Sequence, residues 1–424
     1  LGITPEFDAS GKGIFLATNA QSDYTQLGHM DLESGEIEFI TGDIPWDVEE
    51  LAISSDGRRT AFIVNEGGVD RLYLLDPETY AYRLVEEIPI GLAGGMRFSP
   101  DGRRLALTLN TAKTPSDVFT LELGEEATSV EGLTRWTFSE VGGLDTTRFV
   151  EPELIHYPTF DQVDGKPRMI PAFIYKPKGP GPHPVIVSIH GGPEVQYRPR
   201  FSSTLQMWIA ELGAAVIAPY VRGSSGYGKE DVKLDNGYLR EDSVKDIGAL
   251  LEWIAGQGDL DADRVAVYGG SYGGYMVLAT LVHYSDRLRA GVEIVGISNF
   301  VTFLENTQDY RRDLRRVEYG DERDPAMREF LAEISPNNHA DKITAPLLVA
   351  QGQNDPRVPV TESQQIVRDV RSAGYDVWYM NALNEGQGFR KKENRDLYRE
   401  AVVLFFRKHL LGDPGEQVAE GGPD

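Results

Sequence analysis

Tyr268-Gly269-Gly270-Ser271-Tyr272-Gly273-Gly274 decides the reading of this chain. The residues before it, Asp263-Arg264-Val265-Ala266-Val267, have the apolar, β-branched character of a short buried strand. The residues after it, Tyr275 to Val282, read as a helix. A serine at a strand-to-helix turn, with glycine two before and two after it, is the pattern of a nucleophile elbow. The turn is so tight that side chains at the flanking positions would collide, so Gly269 and Gly273 are required sterically. A glycine-rich turn that merely contains a serine would need neither flanking element.

Outward from the serine, strands alternate with helices, the pattern of a mostly parallel sheet. Strands are expected at Met169–Tyr175, Val185–Ile189, Ala215–Pro219, Val292–Val295, Leu347–Ala350 and Val377–Met380. Helices are expected at Ser243–Ala255 and Leu397–Leu411. Chemistry in such sheets gathers at the carboxyl ends of the strands, and three of those ends stand out. His190-Gly191-Gly192-Pro193 is a glycine-rich loop of the kind that supplies one oxyanion-hole amide, the other being that of the residue after the nucleophile. Gly192 and Tyr272 are the expected pair. Asp355, in Gln351-Gly352-Gln353-Asn354-Asp355-Pro356-Arg357, follows a strand beyond the serine, where the acid of a Ser, Asp, His order belongs. The third end is Asn384-Glu385-Gly386-Gln387-Gly388-Phe389. A base is expected there, and glutamine occupies the position. Of the seven histidines only His409 follows Asp355. It falls in the terminal helix, where a helix-end or surface role is expected. A glutamine amide accepts a hydrogen bond but takes no proton near neutral pH.

Residues 1–150 read as something else, a repeat. Asp8-Ala9-Ser10-Gly11, Ser54-Ser55-Asp56-Gly57 and Ser99-Pro100-Asp101-Gly102 each precede a β-rich run, with their glycines 46 and 45 residues apart. A period near 45 with short strands is that of β-propeller blades, and about four to eight blades are needed to close a ring. Three blades and a start at Leu1 suggest a fragment of a longer propeller, or further blades on another chain. The expected domains are therefore propeller blades over 1–150, a catalytic α/β domain over 151–412 and a disordered Gly-, Glu- and Pro-rich tail over 413–424.

Composition sets the outer limits. The net charge of −24 argues against nucleic acid and anionic membrane surfaces as partners. The absence of cysteine excludes disulfides and a thiolate nucleophile. No metal, cofactor or membrane span is expected, the location is expected to be cytoplasmic, and homo-oligomerisation is left open.

Together with Arg222-Gly223-Ser224-Ser225-Gly226-Tyr227-Gly228, these motifs resemble the prolyl oligopeptidase family of serine peptidases, and within it the acylaminoacyl-peptidase branch. The resemblance implies an α/β-hydrolase domain behind a propeller, Ser271 as nucleophile, Asp355 as the residue orienting the base, and Arg357 as a contact to a substrate carbonyl. It implies short peptides as substrates, N-acylated ones among them. The family's Glu-Gly-His-Gly-Phe motif stands here as Glu385-Gly386-Gln387-Gly388-Phe389, so Gln387 takes the place of the catalytic histidine. With every other part retained, an inactivating substitution is favoured over a naturally non-catalytic homologue. A carboxylesterase on the same fold and a peptide-binding homologue remain the alternatives.

Overall fold

The computed structural model describes residues 3–412; the tail expected over 413–424 lies outside them. The chain divides into two compact units. The first comprises the chain up to Glu151 together with Gln196–Ser202 and Ser225–Val232; the second takes the remainder.

The first unit holds three antiparallel four-stranded sheets. They are β1 to β4 (Glu6–Phe7, Gly13–Thr18, Gln26–Asp31, Ile37–Phe39), β5 to β8 (Asp47–Ile53, Thr60–Glu66, Val69–Leu75, Tyr82–Leu84) and β9 to β12 (Leu92–Phe98, Arg104–Asn110, Asp117–Leu123, Val130–Arg135). The repeated Asp-Gly turn recurs in the structure with a single geometry. Gly11, Gly57 and Gly102 have φ of 68°, 68° and 66°, a region in which only glycine is relaxed. In the second and third copies the serine hydroxyl, Ser54 or Ser99, donates to Asp56 or Asp101 at 2.7 and 2.6 Å. Strand periodicity then sets the packing. Along β6, Ala61 and Ile63 join Leu105, Leu107 and Leu121 in one core, while Phe62 and Val64 join Phe15, Leu27 and Val48 in another. Successive side chains point to opposite faces, so the middle sheet is apolar on both and packs a sheet against each. The two later segments of this unit are tied in by polar contacts. Arg198 pairs with Asp70 and with Glu49, and Asn65 Nδ2 donates to Gln196 at 2.7 Å.

The second unit is one eight-stranded sheet: β13 (Glu153–Val163), β14 (Lys166–Tyr175), β15 (His183–Ile189), β16 (Ala215–Pro219), β17 (Leu260–Gly270), β18 (Ala290–Ile294), β19 (Leu347–Gly352) and β20 (Val377–Ala382). Their order is β13-β14-β16-β15-β17-β18-β19-β20. The first pairings are antiparallel and those from β16 onward parallel. All of β16 and β19 is buried, as continuous apolar runs in a sheet covered on both faces should be. The helices are α1 (Ser203–Leu212), α2 (Asp242–Ala255), α3 (Tyr272–Tyr284), α4 (Phe300–Asn306), α5 (Asp309–Tyr319), α6 (Pro325–Glu333), α7 (Val360–Ser372) and α8 (Lys392–Phe406). Every strand expected here is present, some longer than expected, and α3 starts at Tyr272 rather than Tyr275. Among the described residues no helix is long and apolar enough to cross a membrane.

Candidate active site

Strand β17 ends at Gly270 and α3 begins at Tyr272, leaving Ser271 alone on the turn. Its φ of 57° and ψ of −120° lie in a region that side-chain-bearing residues rarely occupy. Backbone bonds hold it there. Ser271 N–H donates to Ile294 O at 2.9 Å, and Gly274 N–H donates to Ser271 O at 2.9 Å. The glycines are needed for the reason the sequence suggests. A methyl at Gly269 would sit 2.3 Å from Gly273 O, and one at Gly273 would sit 2.3 Å from Ile189 O.

The His190 loop lies directly beside the serine, so close that a methyl at Gly191 would be 2.7 Å from Gly270 O. His190 itself is no base for Ser271. Its Nδ1 pairs with Gly191 O at 2.8 Å and its Nε2 with Ser224 Oγ at 3.0 Å. Burial pushes the ring down to about 4, so it is neutral at physiological pH. The contact joins two motifs that are far apart in sequence and fixes the loop carrying Gly192. Tyr272 turns its ring into the core, where its hydroxyl is 3.2 Å from Arg240 Nη1 and 3.1 Å from Ser243 Oγ. As the first residue of α3 its amide is left without an intrahelical partner.

Two further loops meet at the ends of β19 and β20. Asn354 N–H donates to Glu385 O at 2.9 Å, and the Gly352 and Gly386 backbones touch so closely that a methyl on Gly352 would be 2.1 Å from Gly386 O. These contacts set the Asp355 loop against the Gln387 loop. Asp355 is 7% exposed. Its Oδ1 accepts from the backbone N–H groups of Arg357 (2.8 Å) and Val358 (3.1 Å). Its Oδ2 is buried and has no hydrogen-bond partner among the described residues, and the same is true of Gln387 Oε1. Burial raises the Asp355 pKa, opposed by those two N–H groups and by the charges of Arg357 and Arg311. An unpaired buried acceptor is costly, so each atom marks a place where a donor belongs.

Ser271, Gly192, Arg357 and Gln387 line one cleft of about 430 Å³. The structure thus brings together four of the six expected site residues in one cleft; Asp355 and Tyr272 are not among its lining residues. The other wall was not foreseen. Phe303 of α4 and Arg311, Leu314, Arg315 and Tyr319 of α5 complete it. Arg315 Nη1 also donates to Gly192 O at 3.0 Å, tying α5 to the His190–Pro193 loop. His409 departs from expectation. It packs on Trp378 and Phe405, and burial lowers its pKa, so it is a packed aromatic rather than a helix-end charge. Among the described residues no cluster of three or more His, Asp or Glu is placed to hold a metal ion.

A sheet of this order, with Ser271 on a strained turn after its fifth strand, defines an α/β-hydrolase fold. The chain belongs to the prolyl oligopeptidase family, whose model matches residues 199–413. It is 36% identical over 248 residues to dipeptidyl aminopeptidase BIII of Pseudoxanthomonas mexicana, covering 57% of this chain and 35% of that protein. It is 25% identical over 255 residues to acylamino-acid-releasing enzyme 1 of Oryza sativa subsp. japonica, covering 58% of this chain and 33% of that one. The crystal structure of a puromycin hydrolase shares the fold, with a TM-score of 0.81 at 22% identity over 97% of this chain and 61% of its own. The matched part is thus about a third of the length of these two relatives.

Proposed function

We propose that this chain carries the catalytic domain of a serine peptidase acting on short peptides, N-acylated ones among them, and that Gln387 leaves it without a base. The observation that carries the proposal is the pair of buried acceptors, Asp355 Oδ2 and Gln387 Oε1, that lack donors. A histidine at 387 would supply a ring N–H to the first and a nitrogen base toward the cleft. In the working reaction Ser271 Oγ attacks the scissile carbonyl carbon while the ring takes its proton. The oxyanion is stabilised by the amides of Gly192 and Tyr272. The ring then protonates the leaving amine, and water repeats the sequence on the acyl-enzyme. Glutamine accepts no proton, so Ser271 stays an unactivated alcohol. Loss of a triad base lowers turnover by roughly 10⁴- to 10⁶-fold.

The test is Gln387→His. The expected result is hydrolysis of short peptides and labelling of Ser271 by a fluorophosphonate, both absent from Ser271→Ala in the same background. Neither gain would leave a non-catalytic peptide-binding protein as the better account, and hydrolysis confined to esters would favour a carboxylesterase. The higher identity to the dipeptidyl aminopeptidase supports a second substrate assignment, release of dipeptides from a free amino terminus. Comparing acetylated and free N-termini on one peptide sequence separates the two.

A further inference from the structure

We infer that the cleft beside Ser271 selects ligands bearing a carboxylate, and that Arg311 is the residue that reads it. The inference rests on the peptide-binding role of this cleft but not on its catalytic competence.

Helix α5 carries four arginines, and three are already neutralised. Arg312 pairs with Asp309 at 3.0 Å and donates to Thr307 O at 3.0 Å. Arg315 pairs with Glu318, which is itself buried. Arg316 is shared among Asp313, Asp321 and Glu322. Arg311 is the exception. It lines the cleft, half-buried, and its guanidinium has no carboxylate or carbonyl partner among the described residues. Arg357, on the facing loop, lines the same cleft and is likewise unpaired. The charges of both also act on the Asp355 carboxyl. The one acidic side chain lining the cleft is Glu194, two residues after Gly192, and its charge acts on Arg315.

The cleft thus carries two guanidiniums with no ion pair or hydrogen bond among the described residues, in a protein of net charge −24 where carboxylates are abundant. The lining also includes the apolar side chains of Ile297, Phe303, Leu314 and Val358. An arginine in such a setting is matched by a carboxylate, which it can hold with two parallel hydrogen bonds. Arg357 adds field and remains available to a backbone carbonyl. The carboxylate has two sources in a peptide, an acidic side chain or the free C-terminus, and the cleft chemistry is the same for both.

The experiment uses the chain as it stands, with Gln387, so that binding is measured without turnover. Three ligands are titrated calorimetrically: N-acetyl-Ala-Glu-Ala-amide, N-acetyl-Ala-Gln-Ala-amide and N-acetyl-Ala-Gln-Ala with a free C-terminal acid. One of the acids is expected to bind about tenfold or more tighter than the neutral amide, the usual scale of a charge-assisted hydrogen bond. Which acid does so identifies the source. Arg311→Gln should abolish that preference, Arg311→Lys should keep part of it, and Arg323→Gln, on an exposed arginine outside the cleft, should change nothing. The preference should also shrink as salt rises. Equal affinities for the three ligands, including no measurable binding of any, would overturn the inference, as would a preference that survives Arg311→Gln. The outcome is separable from that of the peptidase assignment. An Arg311-dependent preference with no hydrolysis by Gln387→His leaves recognition standing without catalysis, and hydrolysis without charge preference leaves the converse.

Discussion

Glu293 shows how much of the serine's geometry depends on a residue that never meets the cleft. It is fully buried on β18, and its Oε2 accepts from Gly296 N–H at 2.7 Å. That bond closes the turn through Val295, whose φ of 51° is strained for a β-branched residue. The same turn offers Ile294 O to the Ser271 N–H. Burial, opposed by the Gly296 N–H and reinforced by the nearby Glu362, pushes the Glu293 carboxyl up to about 8. The folded chain therefore holds a proton here that the unfolded chain releases near the ordinary glutamate value. Stability should fall as pH rises from about 5 to about 8, by on the order of 1 kcal/mol per pH unit, and level off above. Urea unfolding of Glu293→Gln, which cannot ionise, should show a flatter pH dependence across that window. The sequence does not announce this residue, because a glutamate inside Val292-Glu293-Ile294-Val295 looks like one polar position on a strand. The turn at Ser271 and the strand end before Asp355 were legible because two flanking glycines mark the one and an apolar run marks the other.

At the scale of elements, legibility followed hydrophobic pattern. The strands of the second unit are apolar runs bounded by turns and were found within a few residues. Helix α5 was not found, because only Glu318 and Tyr319 of its eleven residues are buried. Its stability comes from ion pairs and from Phe300, Phe303 and Arg240, whose side chains pack around the Tyr319 ring. The capping residues were the available signal. Asn299 Oδ1 accepts from Val301 N–H and Thr302 N–H to start α4, and Asp324 caps α6 ahead of Pro325. Asn299→Ala should cost about 1 kcal/mol in urea unfolding, the usual value of such a cap. The packing of α3 on β15 is less forgiving. Gly273→Ala would drive a methyl to 2.3 Å from one carbonyl oxygen and 2.9 Å from another, both backbone atoms that cannot swing aside. The expected loss is roughly 2 kcal/mol or more, read from the shift in urea midpoint.

For the whole molecule, the repeat of about 45 residues was legible and corresponds to three four-stranded sheets. What the repeat did not reveal is that Gln196–Ser202 and Ser225–Val232, late in sequence, group with those sheets. Their link is chemical rather than periodic. Asp70 is buried, and burial lifts its carboxyl to about 6 despite the charge of Arg198. Arg198→Ala would leave that acid unpaired, and at pH 8 should destabilise the chain by about 3 kcal/mol, measurable by chemical unfolding. The net charge gives a second expectation at this scale. A chain at −24 repels itself. Raising salt from about 0.01 to 0.1 M shortens the Debye length from about 30 to about 10 Å, so the melting temperature should rise over that range.

The two lone acceptors beside the cleft, Asp355 Oδ2 and Gln387 Oε1, also decide what kind of quantity the cleft reports. In a working hydrolase a bound peptide has two exits, dissociation and cleavage, and every observed affinity mixes them. On the proposed function, with no base at 387, only the first exit is open. Occupancy then obeys mass action alone, so a titration returns a true Kd where the active relative would return KM. On that proposal a peptide that fits well should stay long enough to survive gel filtration intact, which would make this chain the better instrument for learning what the cleft holds.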